Sequence, residues 1–341
     1  MTPPFDRLPL ALTMGEPAGI GGEIALKAWA KYHDRLPPFF IFDDADRLRQ
    51  IAASLGLDIA IIPIATPAET NQAFAKGLPV LAQALAKPPQ PGKPETENVP
   101  AILNAIRRAV EYAGSGDVSA IVTNPIHKQS FAAAGVPYPG HTELLAHLAG
   151  DASKPAMLLV AEGLRVAPVT IHEPLRTVAT SLTTERIVTC GKIVAEGLRQ
   201  DFAIMRPRLA MAALNPHGGE NGVLGREEDT IIAPAVAALL ALGITVRGPL
   251  PADSLFHAEA RKTHDAVLCM YHDQALIPLK TIDFTGGVNV TLGLPFVRTS
   301  PDHGTAFDIA GQGIADESSL VAALHLARDI AERRHQAGAT P

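Results

Sequence analysis

Short apolar, β-favouring runs that stop abruptly in polar groups, each followed by a helical pattern, constrain this chain more than any other feature. The run AVLCMYH (266–272) is the clearest case. Its continuous apolar stretch is what a parallel strand buried on both faces requires, and its polar end is what such a strand delivers to a cleft. LPLALTM (8–14), PFFIFDD (38–44), DIAIIPI (58–64) and VSAIVTNPIHK (118–128) repeat the pattern, with helical segments over 23–32 and 45–55 between them. This β-α-β order predicts a mainly parallel sheet with helices on both faces.

At 341 residues the chain exceeds one ordinary core. The expectation is two α/β/α domains with a central cleft, residues 1–130 plus 302–341 forming the first and 131–301 the second. The proline-rich KPPQPGKPETENVP (87–100) reads as an exposed loop, and the helix after it, 101–113, sets Ile102, Ala105, Ile106 and Ala109 on one face. GHTELLAHLAG (140–150) reads as a short helix with His141 or Thr142 at its N-cap, and AMLLVAEGLRVAPVTIH (156–172) as a hairpin about Glu162 and Gly163.

Apolar residues make up 47% of the chain but aromatic ones only 5%, so the cores are aliphatic. A formal net charge of −6 excludes a general binder of nucleic-acid backbones. No apolar run reaches the roughly 18 residues of a membrane span. The first residues, MTPPFDR, lack the basic start of a secretory signal, and Cys190 and Cys269 form no C-x-x-C pair. Both cysteines read as core residues, and the expected location is the cytoplasm.

His172, His217 and His272 each follow a predicted strand by at most two residues. One such histidine is ordinarily a lone strand-end residue. Three along one edge of a parallel sheet are candidates for a metal site with an open fourth position, suited to Zn²⁺, then Co²⁺, Ni²⁺ or Mn²⁺. Glu173, Glu220, Asp253 and Asp273 lie near them in sequence, and Asp253 is the favoured acid/base group.

Lys280, Asn289 and Arg298 recur at intervals of nine, and the two cations suit a carboxylate or phosphate. His141 and Thr142, at a helix start, offer a second anion contact. GEPAGIGG (15–22) lacks the G-x-G-x-x-G spacing and reads as a tight strand-to-helix turn. In DHGTAFDIAGQG (302–313) the expectation is a helix start at Gly304 and Thr305, with Asp308 accepting a ribose hydroxyl.

The stretches TMGEPAGIGGE, VTNPIHK, GHTELLA, VTIHEPL, LNPHGGENG, MYHDQALIPLK and GVNVTLGLPFVRTSPDHGTAFDIAG together resemble the 4-hydroxythreonine-4-phosphate dehydrogenases of pyridoxal phosphate biosynthesis. HGTAFDIAG also resembles the cofactor loop of isocitrate and isopropylmalate dehydrogenases, and the resemblance implies their fold. It implies a homodimer with one divalent metal per site at the subunit interface, zinc or alternatively cobalt, manganese or magnesium, on His172, His217 and His272. It places substrate contacts at His141, Thr142, Lys280, Asn289 and Arg298, and implies NAD or NADP as cofactor, for which Gly304, Thr305 and Asp308 are the candidate contacts. The family's N-terminal motif more often reads GDPAGIGPE, from which Glu16 and Gly22 depart here.

The implied reaction is oxidation of the C3 hydroxyl of a small phosphorylated amino acid, 4-phosphooxy-L-threonine, followed by decarboxylation, with Lys280, or Asp253 through water, handling protons. Two alternatives compete. One is a related dehydrogenase of a 4-phosphoerythronate, a 4-phosphothreonate or a carboxylated dihydrodiol; the other is a three-histidine zinc phosphoesterase.

Overall fold

The computed structural model describes residues 8–150 and 154–338. The MTPPFDR segment, read above as lacking the start of a secretory signal, lies outside them. In chain order the elements begin with β1 (Leu10–Thr13), α1 (Gly21–Tyr32), β2 (Phe39–Asp43), α2 (Ala45–Ser54), β3 (Ile61–Ile64), α3 (Thr70–Phe74) and β4 (Leu78–Ala82). They continue with α4 (Val99–Ser115), β5 (Ala120–Thr123), α5 (Lys128–Ala133), α6 (His141–Leu148), β6 (Ala156–Ala161), β7 (Leu164–Pro168), α7 (Leu175–Ser181) and α8 (Thr184–Gln200). Then come β8 (Arg208–Ala212), α9 (Ala233–Ala241), β9 (Thr245–Leu250), α10 (Ala258–Arg261), β10 (Ala266–Cys269), α11 (His272–Ile282), β11 (Val288–Leu292), β12 (Arg298–Pro301) and α12 (Ser318–Gly338).

The chain forms two compact units, Met1–Ser153 with Leu294–Pro341, and Lys154–Gly293. The boundaries expected at 130/131 and 301/302 differ from those of these units, and His141, Thr142 and Arg298 lie in the first unit.

In the first unit the strands run in the order β3-β4-β2-β1-β5-β12, and the pairings between them are parallel. The β-α-β alternation leads to this because a parallel neighbour cannot be reached by a tight turn and needs a crossover. β1 and β5 are buried at every position, which is why their sequences read as unbroken apolar runs. α4 covers the sheet with Ile102, Ala105, Ile106 and Ala109, each fully buried, against Phe40, Phe42 and Ile121. Pro100 near its start and a left-handed Gly116 (φ 77°) at its end delimit that helix.

In the second unit the order is β11-β6-β7-β10-β8-β9. β6 and β7 form the expected antiparallel hairpin, with Glu162 (φ 39°) and Gly163 (φ 77°) supplying the positive dihedrals that a two-residue turn needs. β7, β10, β8 and β9 pair in parallel, and the core between strands and α11 contains Leu159, Val166, Ala210, Val267 and Leu279. Cys190 and Cys269 are free and buried, as expected for core residues. α8 begins where the Thr183 hydroxyl accepts the Arg186 N–H at 3.2 Å.

His264, 6% exposed, makes acid stability of this unit testable. Burial first, then the nearby Arg247, pushes its imidazole down to about 4. Below pH 6.5 the unfolded chain takes up a proton that the folded chain refuses, so stability declines as pH falls toward 4. The expected loss at pH 4 is roughly 3 kcal/mol. Urea unfolding of wild type and His264→Leu from pH 7 to 4 measures it; an identical slope in both proteins would count against His264 as a source.

Candidate active site

The first unit gathers three segments at the strand ends. β1 and β5 lie side by side with Thr13 opposite Thr123, so the 14–20 turn and the 124–127 segment leave the same edge. The Glu16 N–H donates to the Pro125 carbonyl at 2.8 Å. Asn124 is fully buried, and its side chain occupies the space beside Gly15 and Gly21. A Cβ on Gly15 (φ +67°) would lie 2.6 Å from the Pro125 oxygen, so both backbone sign and contact demand glycine there. GEPAGIGG reads from sequence only as a tight turn, and no site residue is expected in VTNPIHK; the signal that could have joined them is that both follow strands buried at every position.

The same turn supports the 302–313 loop. The Ile20 N–H donates to the Thr305 carbonyl at 3.2 Å, and a Cβ on Gly19 would come within 2.8 Å of that oxygen. The expected helix start at Gly304 and Thr305 is not formed: the loop is built of turns, and the helix begins only at Ser318. Ala306 (φ 48°), Gly311 (φ 76°) and Gly313 (φ 73°) adopt left-handed conformations that interrupt any helix. Gly304 faces open space, and Asp308 is exposed with Gln312 bound to its backbone carbonyl. This exposed loop, braced from below, carries the expected dinucleotide contacts Gly304, Thr305 and Asp308. Gly19→Ala should therefore displace this loop and raise the dinucleotide KM on the order of 10-fold; steady-state kinetics with varied NAD⁺ or NADP⁺ measure it, and unchanged KM would detach the turn from the cofactor.

Beside these segments lies a cationic cluster. Arg298 opens β12, is 3% exposed, and donates from Nε and Nη2 to the Thr123 hydroxyl at 3.2 and 2.6 Å. Burial pushes its guanidinium down to about 9, which leaves it positive at neutral pH. His141 is the first residue of α6, and Gly140, not His141 or Thr142, is the N-cap. Burial, then the positive charges of Arg298 and Lys128, hold the His141 imidazole well below its ordinary range. Its Nε2 is shielded from solvent without a hydrogen-bond partner, and such an atom is one a ligand group completes. Thr142 and Glu143 follow on the same turn, and a Cβ on Gly140 would lie 3.7 Å from Lys128 Cε. Lys128 and Thr123 are members of this cluster that the sequence reading did not single out.

The second unit carries the histidines. β7, β10 and β8 are adjacent parallel strands, and His172, His272 and His217 follow their respective C-terminal ends. The strands end at Pro168, Cys269 and Ala212, earlier than expected, so His172, His272 and His217 follow them by four, three and five residues and not by at most two. The His172 and His272 rings are 5.8 Å apart between centroids and inclined by 44°. His272, the first residue of α11, has Nδ1 2.8 Å from the Asp273 carboxylate. That contact leaves Nε2 for a ligand, an arrangement common around metal-binding histidines. His217 stands on a left-handed turn (φ 52°) beyond β8. Among the described residues no group of three or more His, Cys, Asp or Glu is close enough to hold a metal ion. The pair of imidazoles, one steered by a carboxylate, is nevertheless the donor chemistry that a nitrogen-liganded divalent metal takes.

Lys280 lies on α11 with its ammonium 5.3 Å from the Phe284 ring centroid. Asn289 lies on β11, and its Oδ1 is shielded without a partner. Asp253 is exposed on a short turn, Ala252–Ser254, after β9.

Comparison with known proteins agrees with this architecture. The family model for pyridoxal phosphate biosynthetic protein PdxA matches residues 35–327. A 4-hydroxythreonine-4-phosphate dehydrogenase of Caulobacter vibrioides is 52% identical over 331 residues, covering 96% of this chain and 98% of the relative. The crystal structure of a 4-hydroxythreonine-4-phosphate dehydrogenase from Klebsiella pneumoniae superposes with a TM-score of 0.85 at 42% identity, covering 95% of this chain and 99% of that one. A terephthalate 1,2-cis-dihydrodiol dehydrogenase from Burkholderia xenovorans is more distant, with a TM-score of 0.61 at 28% identity over 94% of this chain and 98% of that one. The chain is thus an α/β oxidoreductase of the isocitrate and isopropylmalate dehydrogenase-like fold, not the hydrolase that three histidines alone would allow. It belongs to the pyridoxal phosphate biosynthetic PdxA family.

Proposed function

We propose that this chain oxidises 4-phosphooxy-L-threonine at its C3 hydroxyl with NAD⁺ or NADP⁺. The resulting 2-amino-3-oxo-4-phosphooxybutanoate then loses CO₂ to give 3-amino-2-oxopropyl phosphate. The observation that carries the substrate is the 52% identity over 96% of the chain to a protein named for it. The cationic cluster at Arg298 supports the same reading, because a substrate with a phosphate and a carboxylate needs buried positive charge.

In this reading His172, His217 and His272 hold a divalent ion, zinc or alternatively cobalt, manganese or magnesium. When bound, that ion supplies a Lewis acid for the hydroxyl oxygen and for the charge left there as CO₂ departs. Arg298 and Thr142 hold an anionic end of the substrate by hydrogen bonds. Neutral His141 offers its Nε2 as one more donor without adding charge. Asn289 and Lys280 orient the reacting end, and Lys280 as its neutral amine, or Asp253 through water, accepts the hydroxyl proton as hydride passes to the nicotinamide. After C–CO₂ cleavage the same group returns a proton to C2. Gly304, Thr305 and Asp308 hold the dinucleotide, with Asp308 accepting from a ribose hydroxyl.

The reading includes a cytoplasmic homodimer whose metal site draws on both chains. Exposed Leu175, Val223, Ile277 and Phe284, on or beside the segments that carry the histidines, support a partner surface there. No helix among the described residues is long and apolar enough to cross a membrane.

The test is a steady-state assay with 4-phosphooxy-L-threonine and NAD⁺ or NADP⁺, on chelated protein refilled with single metals. NADH or NADPH production with CO₂ release is the expected result. The kinship with a terephthalate dihydrodiol dehydrogenase favours one competitor, so the panel includes a carboxylated cis-dihydrodiol together with 4-phosphothreonate and 4-phosphoerythronate. Turnover of one of these with none of 4-phosphooxy-L-threonine would overturn the assignment.

A further inference from the structure

The turn that bears His217 is built against the usual handedness of the chain. His217, Gly218, Gly219, Glu220 and Asn221 have φ of 52, 65, 79, 44 and 55° in succession. Three of them carry side chains, and each such residue in the left-handed region costs about 1 kcal/mol or more. Glycine at 218 and 219 relieves part of this; the remainder must be over-determined by neighbouring contacts.

Those contacts centre on Glu228. It is 4% exposed and starts a single π-helical turn, Glu228–Ile232, that leads into α9. Its Oε1 accepts the N–H groups of Leu214 and Asn215 at 2.9 and 2.8 Å, and its Oε2 accepts the Asn215 side-chain amide at 2.9 Å. A Cβ on Gly219 would lie 2.6 Å from the same Oε2, so the turn folds directly onto the carboxylate. Among the described residues Glu228 has no ion-pair partner; its charge is met by amide N–H donors alone. The far end is anchored, because the Thr184 hydroxyl at the start of α8 donates to the Ile231 carbonyl at 2.9 Å. One-turn π segments are uncommon and concentrate at functional sites.

A carboxylate is the group this geometry needs. Three N–H donors converge on two oxygens, and a glutamine would turn its own NH₂ toward the Asn215 NH₂ or toward two main-chain N–H groups. We propose that Glu228 is a positioning residue: by clamping Leu214 and Asn215 it holds the left-handed turn that presents His217. The consequence for metal binding rests on the proposed role of His217, whereas the clamp itself does not.

Metal-depleted full-length wild type, Glu228→Gln, Gly219→Ala and His217→Ala are titrated with Co²⁺, reading affinity and the visible d–d bands, and hydrogen exchange is followed across 213–222. Glu228→Gln should exchange faster there and bind Co²⁺ about 10- to 100-fold more weakly with altered bands. Gly219→Ala crowds the carboxylate from the other side and should give the same pattern, which keeps the clamp testable should Glu228→Gln fail to fold. Wild-type exchange in 213–222 in a folded variant would overturn the clamp. If His217→Ala leaves Co²⁺ binding intact, the metal role of His217 fails, and exchange alone decides the role of Glu228.

Discussion

Arg298→Met is expected to lower kcat/KM for the phosphorylated substrate by about 10³-fold, the equivalent of about 4 kcal/mol lost when a buried charge no longer meets its anion. The expectation follows from where the side chain lies. Arg298 is 3% exposed, at the start of a strand beside β5, with two of its N–H groups on the Thr123 hydroxyl. The free protein therefore carries part of the cost of burying it, which is what the fall of its pKa to about 9 expresses. Since the folded value lies below the unfolded one, that cost is fully present at pH 7 and is relieved only as pH rises above about 9. Methionine removes the charge at similar length, so Tm should hold or rise while activity collapses. Lysine should not rescue, because a single ammonium cannot reproduce the planar pair of donors. Thermal unfolding and steady-state kinetics on the same preparations separate the outcomes. A large fall in Tm with kcat/KM preserved would make Arg298 a structural residue.

With His272 holding the proposed divalent ion, His272→Ala is expected to reduce kcat by about 10³-fold or more, since a Lewis acid at the reacting oxygen is worth several kcal/mol. Its ring lies 5.8 Å from that of His172 and is oriented through Nδ1 by Asp273 at 2.8 Å. Asp273→Asn should leave the ligand in place but loosen its orientation, with a smaller loss of about 10-fold. Metal content, measured by mass spectrometry after dialysis, should fall in His272→Ala. Chelation should bring wild type to the level of the variant, and Zn²⁺ or Co²⁺ should restore only the wild type. Turnover that survives while bound metal disappears would remove the ion from the chemistry.

Much of the fold was legible because it is written in local pattern. β1, β5 and β10 announce themselves as apolar runs because both of their faces are buried. The stripe from Ile102 to Ala109 marks α4, and Glu162 and Gly163 mark the hairpin turn. Local rules failed at 304–316, where a helix start was expected and a run of turns is found. Gly311 and Gly313 in left-handed conformations were the warning, since a helix tolerates neither.

The sequence by itself determined the kind of elements, their order, and which residue types stand at strand ends. It thereby determined the imidazoles at 172, 217 and 272 and the cations at 280 and 298 as candidates. Only the tertiary structure decided which strands became neighbours. β7, β10 and β8 lie together although well over thirty residues separate each in the chain, and Thr123, from a distant strand, meets Arg298. The bracing of the 302–313 loop by Gly19 and the clamp of Glu228 on Asn215 have the same origin. Periodicity and propensity act over a turn or a strand, whereas these contacts are set by how separately folded segments bury their faces against one another. That choice is a property of the packed core, with no signature in any single stretch of residues.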